Sequence, residues 1–139
     1  MKSQDTRGRR CFFCGRAKEA KIIAETEHWF ARLDDKPVSR GHTLIFPKRH
    51  FASILDATEE EAADLVKILG EVDKTVRRRF KASQYNFGFN YGENAGQGHG
   101  HLHGHFIPRR RGDVKHDPQG GIRWVIPDKA PESAALRPK

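Results

Sequence analysis

The sequence predicts an α+β fold, an antiparallel sheet covered by one long helix. Three observations predict it. Residues 58–80 carry a sustained helical period of apolar residues. The strand-like runs come mostly as neighbours joined by short turns, which favours an antiparallel sheet over a doubly wound one. The chain has 139 residues, enough for a single domain with one core.

Taken in order, residues 28–33 are a short, partly apolar run, and Asp34, Asp35, Lys36 and Pro37 after it have the composition of a turn. A second turn at Arg40 and Gly41 leads into residues 42–46, a β run stopped by Pro47. Thr58 is placed to cap a helix, and Glu61, three residues on, completes a capping box. Ala62, Leu65, Val66, Leu69, Val72, Val76 and Phe80 then recur at steps of three and four, one stripe that packs on a sheet. Arg77, Arg78 and Arg79 suit the negative end of the helix dipole. Residues 85–90 alternate aromatic with small or polar residues, the pattern of a strand with one buried face. Residues 92–98 are a glycine-rich loop, and residues 100–107 are another alternating run. Residues 1–10 and 130–139 read as frayed ends of a single domain spanning 1–139.

Hydrophobic residues make up 36% and charged residues 32%, so the core is economical and the surface heavily charged. A net charge of +8 favours anionic partners such as phosphates, nucleotides or nucleic acid, without choosing among them. No stretch is long and apolar enough for a membrane span, and residues 1–10 are basic and polar with no apolar signal region. The expected location is the cytoplasm. The two cysteines, Cys11 and Cys14, are spaced C-x-x-C, which in a reducing compartment points to metal or redox chemistry. The strand–helix–strand context of a redox motif is missing.

The most informative segment is residues 97–109, where four of the eight histidines lie. In a strand, side chains two apart share a face. His101, His103 and His105 therefore line one surface, with Leu102 and Phe106 turned to the core. Gly104 leaves a gap on the core side, read as a close approach of the helix. Imidazole titrates near neutral pH, so one ring is available as a nucleophile and its neighbours as proton donors. A row of rings beside the 92–98 loop could hold a phosphate between backbone N–H groups and imidazoles, or hold a metal. An affinity tag is a poor account, because a tag sits at a terminus and lacks the Leu and Phe alternation.

The run His101-Leu102-His103-Gly104-His105-Phe106-Ile107, preceded by Ala95-Gly96-Gln97 and followed by Pro108-Arg109, resembles the signature of the histidine-triad nucleotide hydrolases and transferases. The resemblance extends to Pro37-Val38-Ser39-Arg40-Gly41-His42, Pro47-Lys48-Arg49-His50 and Asn90-Tyr91-Gly92, covering residues 11–109. Gly120-Gly121-Ile122-Arg123-Trp124 is similar to the tail of bacterial-type members.

The resemblance implies a sheet of about five strands under one helix, a homodimer, and a two-step reaction. His103 would be the nucleophile that takes the nucleotidyl group, with water then releasing a nucleoside monophosphate. The backbone oxygen of His101 would fix the tautomer of His103, and His105 would contact the phosphate and the leaving atom. Asn90, Gly96 and Gln97 match positions around the phosphates. Asp34 matches a ribose-binding position, and a carboxylate does accept two hydrogen bonds from a vicinal diol. Members with an N-terminal C-x-x-C imply a structural Zn2+ held by Cys11, Cys14, His50 and His101, leaving His103 and His105 free. Gly98 stands where related enzymes often carry serine or threonine, and Gly100 and Gly104 replace bulkier residues. His99 has no assigned role and is expected to be exposed.

The substrate would be a purine nucleotide, adenine by resemblance. Hydrolysis of dinucleoside polyphosphates and of nucleoside phosphoramidates passes through the same His103 adduct. Asn90 and the compact chain lean toward the phosphoramidate, and the basic rim of Arg109, Arg110 and Arg111 toward polyphosphates. The rival readings are a nucleotide-sensing protein with little turnover and a nucleic-acid binder. The second is disfavoured because the aromatic residues alternate into the core rather than forming an exposed stacking platform.

Overall fold

The computed structural model describes residues 11–15, 19–115 and 118–130. Five antiparallel strands form one sheet: β1 (Ile22–Glu25), β2 (Trp29–Leu33), β3 (Thr43–Pro47), β4 (Gln84–Phe89) and β5 (Gly104–Arg109), in the order β1-β2-β3-β5-β4. One helix, α1 (Glu59–Phe80), packs across β1, β2 and β3. This is the α+β architecture expected. Of the expected frayed ends, residues 1–10 and 131–139 lie outside the described residues. Ala130 does not fray: it is buried and its N–H bonds Ile126 O.

Alternation along β2 and β3 sorts the side chains into two clusters. Trp29, Ala31 and Ile45 meet Ile68, Val72 and Val76 of α1, together with Leu102 and Phe106. Phe30, Leu44 and Phe46 turn the other way and pack with Phe13. One face of the sheet is thus covered by the helix, and the opposite face carries the N-terminal knuckle.

The helix starts as its sequence requires, with the Thr58 hydroxyl accepting from Glu61 N at 3.1 Å. The reciprocal half of the capping box is not made. The Glu61 carboxylate instead accepts from Arg49 Nε at 2.9 Å. The inward stripe also differs from the apolar count. Ala62 and Val66 are exposed, whereas Ile68 is fully buried and Glu61, Asp64 and Thr75 share its face. Asp64 and the Glu61 backbone are bonded there. Asp64 accepts from the Thr26 hydroxyl at 2.7 Å and His28 N at 2.8 Å, and Trp29 Nε1 donates to Glu61 O at 2.8 Å.

Three further expectations are corrected. The strand after the loop runs from Gly104 rather than residue 100, because Leu102 N donates to Phe51 O at 2.6 Å and leaves the ladder. β4 shows no clean alternation. It is an edge strand, and the turn Gly121–Val125 approaches its Asn86–Gly88 side. The space at Gly104 is filled by aromatic rings, not by the helix: a Cβ there would lie 2.6 Å from Phe87 and 3.0 Å from Phe89. β1 has no counterpart in the sequence reading, being four residues, three half-buried and one exposed, with a bulge. No helix among the described residues is long and apolar enough to cross a membrane.

Candidate functional site

The histidines of residues 99–105 gather at the face opposite the helix, at the start of β5. Phe13 lies among them, its ring centroid 4.7 Å from that of His103 and 5.6 Å from that of His101. The row divides into two groups with different neighbours.

The first group is Cys11, Cys14, His50 and His101. Cys11 Sγ lies 3.4 Å from His101 Nδ1, Cys14 Sγ lies 3.4 Å from His50 Nδ1, and the two Nδ1 atoms are 3.1 Å apart. Tetrahedral zinc with ordinary bond lengths would set sulfur–nitrogen and nitrogen–nitrogen separations of about 3.6 and 3.3 Å, so the four donors fit such an ion. His101 is fully buried and its Nε2 donates to Pro47 O at 2.7 Å, which leaves Nδ1 with its lone pair toward the cluster. Burial pushes the His101 ring down to about 4, and burial together with the neighbouring Cys11 pushes the Cys14 thiol up to about 11. Neutral donors crowded in this way are what a cation would relieve. His99 is outside this group: it is exposed and stacks on Phe12 with ring centroids 6.0 Å apart, and its ring is also 6.0 Å from that of His103.

The second group is His103, His105, His42 and Asp34. His103 Nδ1 lies 3.1 Å from His101 O. A carbonyl only accepts, so the ring proton sits on Nδ1 and the lone pair on Nε2. His105 pairs across the sheet with Leu44 on one side and Gly88 on the other. Its Nδ1 lies 2.9 Å from His42 Nε2, which in turn lies 3.4 Å from Asp34 Oδ2. Burial holds His42, His103 and His105 below the usual histidine value, so the rings are neutral near pH 7. His42 had been given no role in the sequence. The structure brings it there, because residues 42 and 44 share a face and Leu44 is the partner of His105, a pairing that no local motif encodes.

The other expected site residues fall as follows. Asp34 is half-buried beside His42 and also accepts from Lys36 N at 2.9 Å, as a turn residue does. Asn90 is exposed on a cleft of about 440 Å³ lined also by Val38, His42, Gly88, His105 and Trp124. Gly96 is exposed at the end of a short turn, with φ 86°. Gln97 is buried, and its carboxamide accepts from Gly92 N at 2.9 Å and donates to Ala52 O at 3.0 Å. Its side chain therefore holds the glycine loop closed. Two of the three rim arginines are also committed. Arg109 forms a bidentate pair with Asp113, and Arg110 donates to Phe80 O, Arg40 O and Ser39 Oγ. Only Arg111 keeps the solvent-facing position expected of the rim.

The HIT domain family matches residues 16–112. The chain belongs to the histidine-triad family. Among curated relatives, the histidine-triad chain is 35% identical over 102 residues to a bis(5'-adenosyl)-triphosphatase of Dictyostelium discoideum, covering 73% of this chain and 68% of that one. It is 35% identical over 69 residues to an adenosine 5'-monophosphoramidase of Schizosaccharomyces pombe, covering 48% and 52%. Among solved structures, it is similar to a zinc-bound histidine triad family protein from Mycobacterium smegmatis, with TM-score 0.66 and 30% identity over 91% of this chain and 97% of that one.

Proposed function

We propose that this histidine-triad protein is a cytoplasmic nucleotide hydrolase that cleaves at the α-phosphorus through a nucleotidyl-His103 intermediate. The observation that carries the reading is the 3.1 Å contact of His103 Nδ1 with His101 O. It turns the Nε2 lone pair of a neutral ring outward as a nucleophile. In the first step, His103 Nε2 forms a bond to phosphorus while the bond to the leaving group breaks, a polyphosphate departing as its anion and a phosphoramidate nitrogen departing as the neutral amine after taking a proton from solvent. In the second, water attacks phosphorus, the P–N bond breaks, and His103 and a nucleoside monophosphate are released. His105 contacts the phosphate and leaving atom, Asp34 the ribose hydroxyls, and Asn90 and Gly96 the phosphates. Gln97 acts through the loop it closes. The substrates are dinucleoside polyphosphates or nucleoside phosphoramidates, with adenine as base, in keeping with the names of both curated relatives.

Cys11, Cys14, His50 and His101 hold Zn2+, which supplies a structural tie between the N-terminal knuckle and the start of β5. The family resemblance implies a homodimer, and β4, an edge strand of the sheet among the described residues, offers a surface for pairing.

The test is nucleoside monophosphate release from adenosine phosphoramidate and diadenosine tetraphosphate, with an alkaline denaturing quench to trap the acid-labile P–N adduct. A nucleotide bound covalently to His103, and the faster of the two substrates, would establish the mechanism and its branch. Release without any adduct would refute the intermediate, and no release from either would favour a nucleotide sensor.

A further inference from the structure

The proposed chemistry gives no task to His42, although that ring is 4% exposed and lies within the site. Its Nδ1 is 3.2 Å from the backbone nitrogen of Val38. A peptide N–H only donates, so His42 Nδ1 carries a lone pair and the proton of the neutral ring sits on Nε2. That Nε2 faces two acceptors, His105 Nδ1 at 2.9 Å and Asp34 Oδ2 at 3.4 Å. His105 Nδ1 therefore receives a proton contact and does not carry one. We propose that His42 is a positioning residue that locks His105 in the tautomer with its proton on Nε2, so that the third histidine of the triad meets the phosphate as a fixed, neutral hydrogen-bond donor.

The two histidines that flank the reacting phosphorus are thereby set in opposite states. A carbonyl, His101 O, faces Nδ1 of His103 and leaves a lone pair on its outer nitrogen. An N–H, that of His42, faces Nδ1 of His105 and leaves a proton on its outer nitrogen. One ring attacks and the other donates, and neither has to change tautomer between turnovers. Burial of the His42 and His105 rings supports the neutral forms.

Asp34, His42 and His105 could also be read as a carboxylate–imidazole metal site, since their ligand atoms lie within 4.8 Å of one another. Val38 decides against it. A neutral imidazole that binds a metal through Nε2 carries its proton on Nδ1, and the Val38 N–H already occupies that nitrogen as donor.

Only the catalytic consequence rests on the hydrolase reading; the tautomer does not. The full chain labelled with 15N-histidine is examined by long-range proton–nitrogen NMR, which distinguishes the two neutral tautomers. The expected wild-type result is Nε2–H at His42 and His105 and Nδ1–H at His103. His42→Phe removes the donor while filling the space, and should release His105 into a mixture containing Nδ1–H. It should also lower kcat by about 100-fold, the usual scale for losing one oriented donor, with KM changed by less than about threefold. His42→Gln offers a carbonyl to Val38 and an N–H to His105, so it should restore the His105 signature and lose less than about tenfold in kcat. A wild-type His105 with its proton on Nδ1 overturns the proposal, and that spectrum decides even if His42→Phe fails to fold. An unchanged His105 signature in folded His42→Phe overturns it equally. The assigned tautomers in a wild-type protein that turns over no nucleotide would instead refute the hydrolase reading and leave the lock standing.

Discussion

The two faces of the sheet are made from similar apolar residues and do different work. On the helix face, Trp29, Ala31 and Ile45 meet Ile68, Val72 and Val76, and the polar groups present are turned into ties between elements. On the opposite face, Phe13, Phe30, Leu44 and Phe46 form a smaller floor, and above it stand rings and thiols whose chemistry depends on single backbone atoms. Those atoms lie at strand ends or between strands: Pro47 O at the end of β3, His101 O just before β5, and Val38 N between β2 and β3. Tautomers are set where the ladder stops, because only there are peptide groups free of the ladder and able to bond a ring nitrogen.

This contrast predicts that changes on the site face cost chemistry and changes on the helix face cost stability. The largest effect should come from His103→Ala. Turnover should fall by about 10⁴-fold or more, as for loss of a nucleophile, while nucleotide affinity and Tm stay near wild type. Calorimetric binding and monophosphate release measure the two separately. A variant that kept its rate would break the assignment of the site face.

His50→Ala sharpens the division, since His50 is on the site face but belongs to the proposed metal group. Zinc content should fall to background. Stability should drop by about 3 kcal/mol, the contribution of an ion present at about 100 times its Kd. Elemental analysis and thermal unfolding check this, and undiminished zinc would remove His50 from the ligand set.

Gly104→Ala tests the boundary between the faces. The added methyl would meet Phe87 at 2.6 Å and Phe89 at 3.0 Å on the helix side, next to His103 and His105 on the other. Overpacking of this kind costs about 1–3 kcal/mol. Denaturant unfolding should show that loss, and a neutral result would mean the two rings can move aside.

Which of these residues could be read in advance follows the same line. Trp29 to Leu33, the Thr58 cap and the length of α1 are legible because local periodicity and capping chemistry determine them. The inward position of Asp64 was not, because a buried carboxylate is only explained by Thr26 and His28, thirty-six or more positions away. The triad was legible as a pattern of alternating rings, although His101 and His103 precede the strand that was expected to carry them. His42 was missed because its role depends on the pairing of β3 with β5, which no local motif encodes. Gln97 was legible as a loop residue, but not as a buried brace, for the same reason.

Asp64→Ala should then cost about 1–3 kcal/mol by leaving the His28 N–H and Thr26 hydroxyl unpaired, with activity per folded molecule unchanged. Its pH signature has a definite sign. Burial pushes the Asp64 carboxyl up, but its hydrogen bonds to Thr26 and His28 and the nearby His28 and Lys67 charges outweigh that and hold it below the usual carboxylate value. A depressed folded value means the contribution is present above the unfolded value, about pH 3.9, and is lost as pH falls through the folded one. The stability gap between wild type and variant should therefore be constant from neutral pH to about pH 5 and narrow only in stronger acid.

The smallest effect expected runs in the opposite direction. α1 ends on Lys81, which sits in the left-handed region at φ 54° and ψ 41°, a place normally given to glycine. A side chain there costs about 1 kcal/mol, because its Cβ crowds the following carbonyl. Ala82 next to it is buried in the helix-side core, which fixes where the chain must turn and so holds Lys81 in that conformation. Lys81→Gly should relieve the strain and raise stability by about 0.5–1 kcal/mol, less than the full strain because glycine also loosens the unfolded chain. Thermal unfolding and turnover together make the check. A higher Tm with unchanged kcat would place this strain wholly on the structural side of the molecule, whereas a change in kcat would mean that the end of the helix and the site face are coupled through Arg110, which bonds both Phe80 O and Ser39 Oγ.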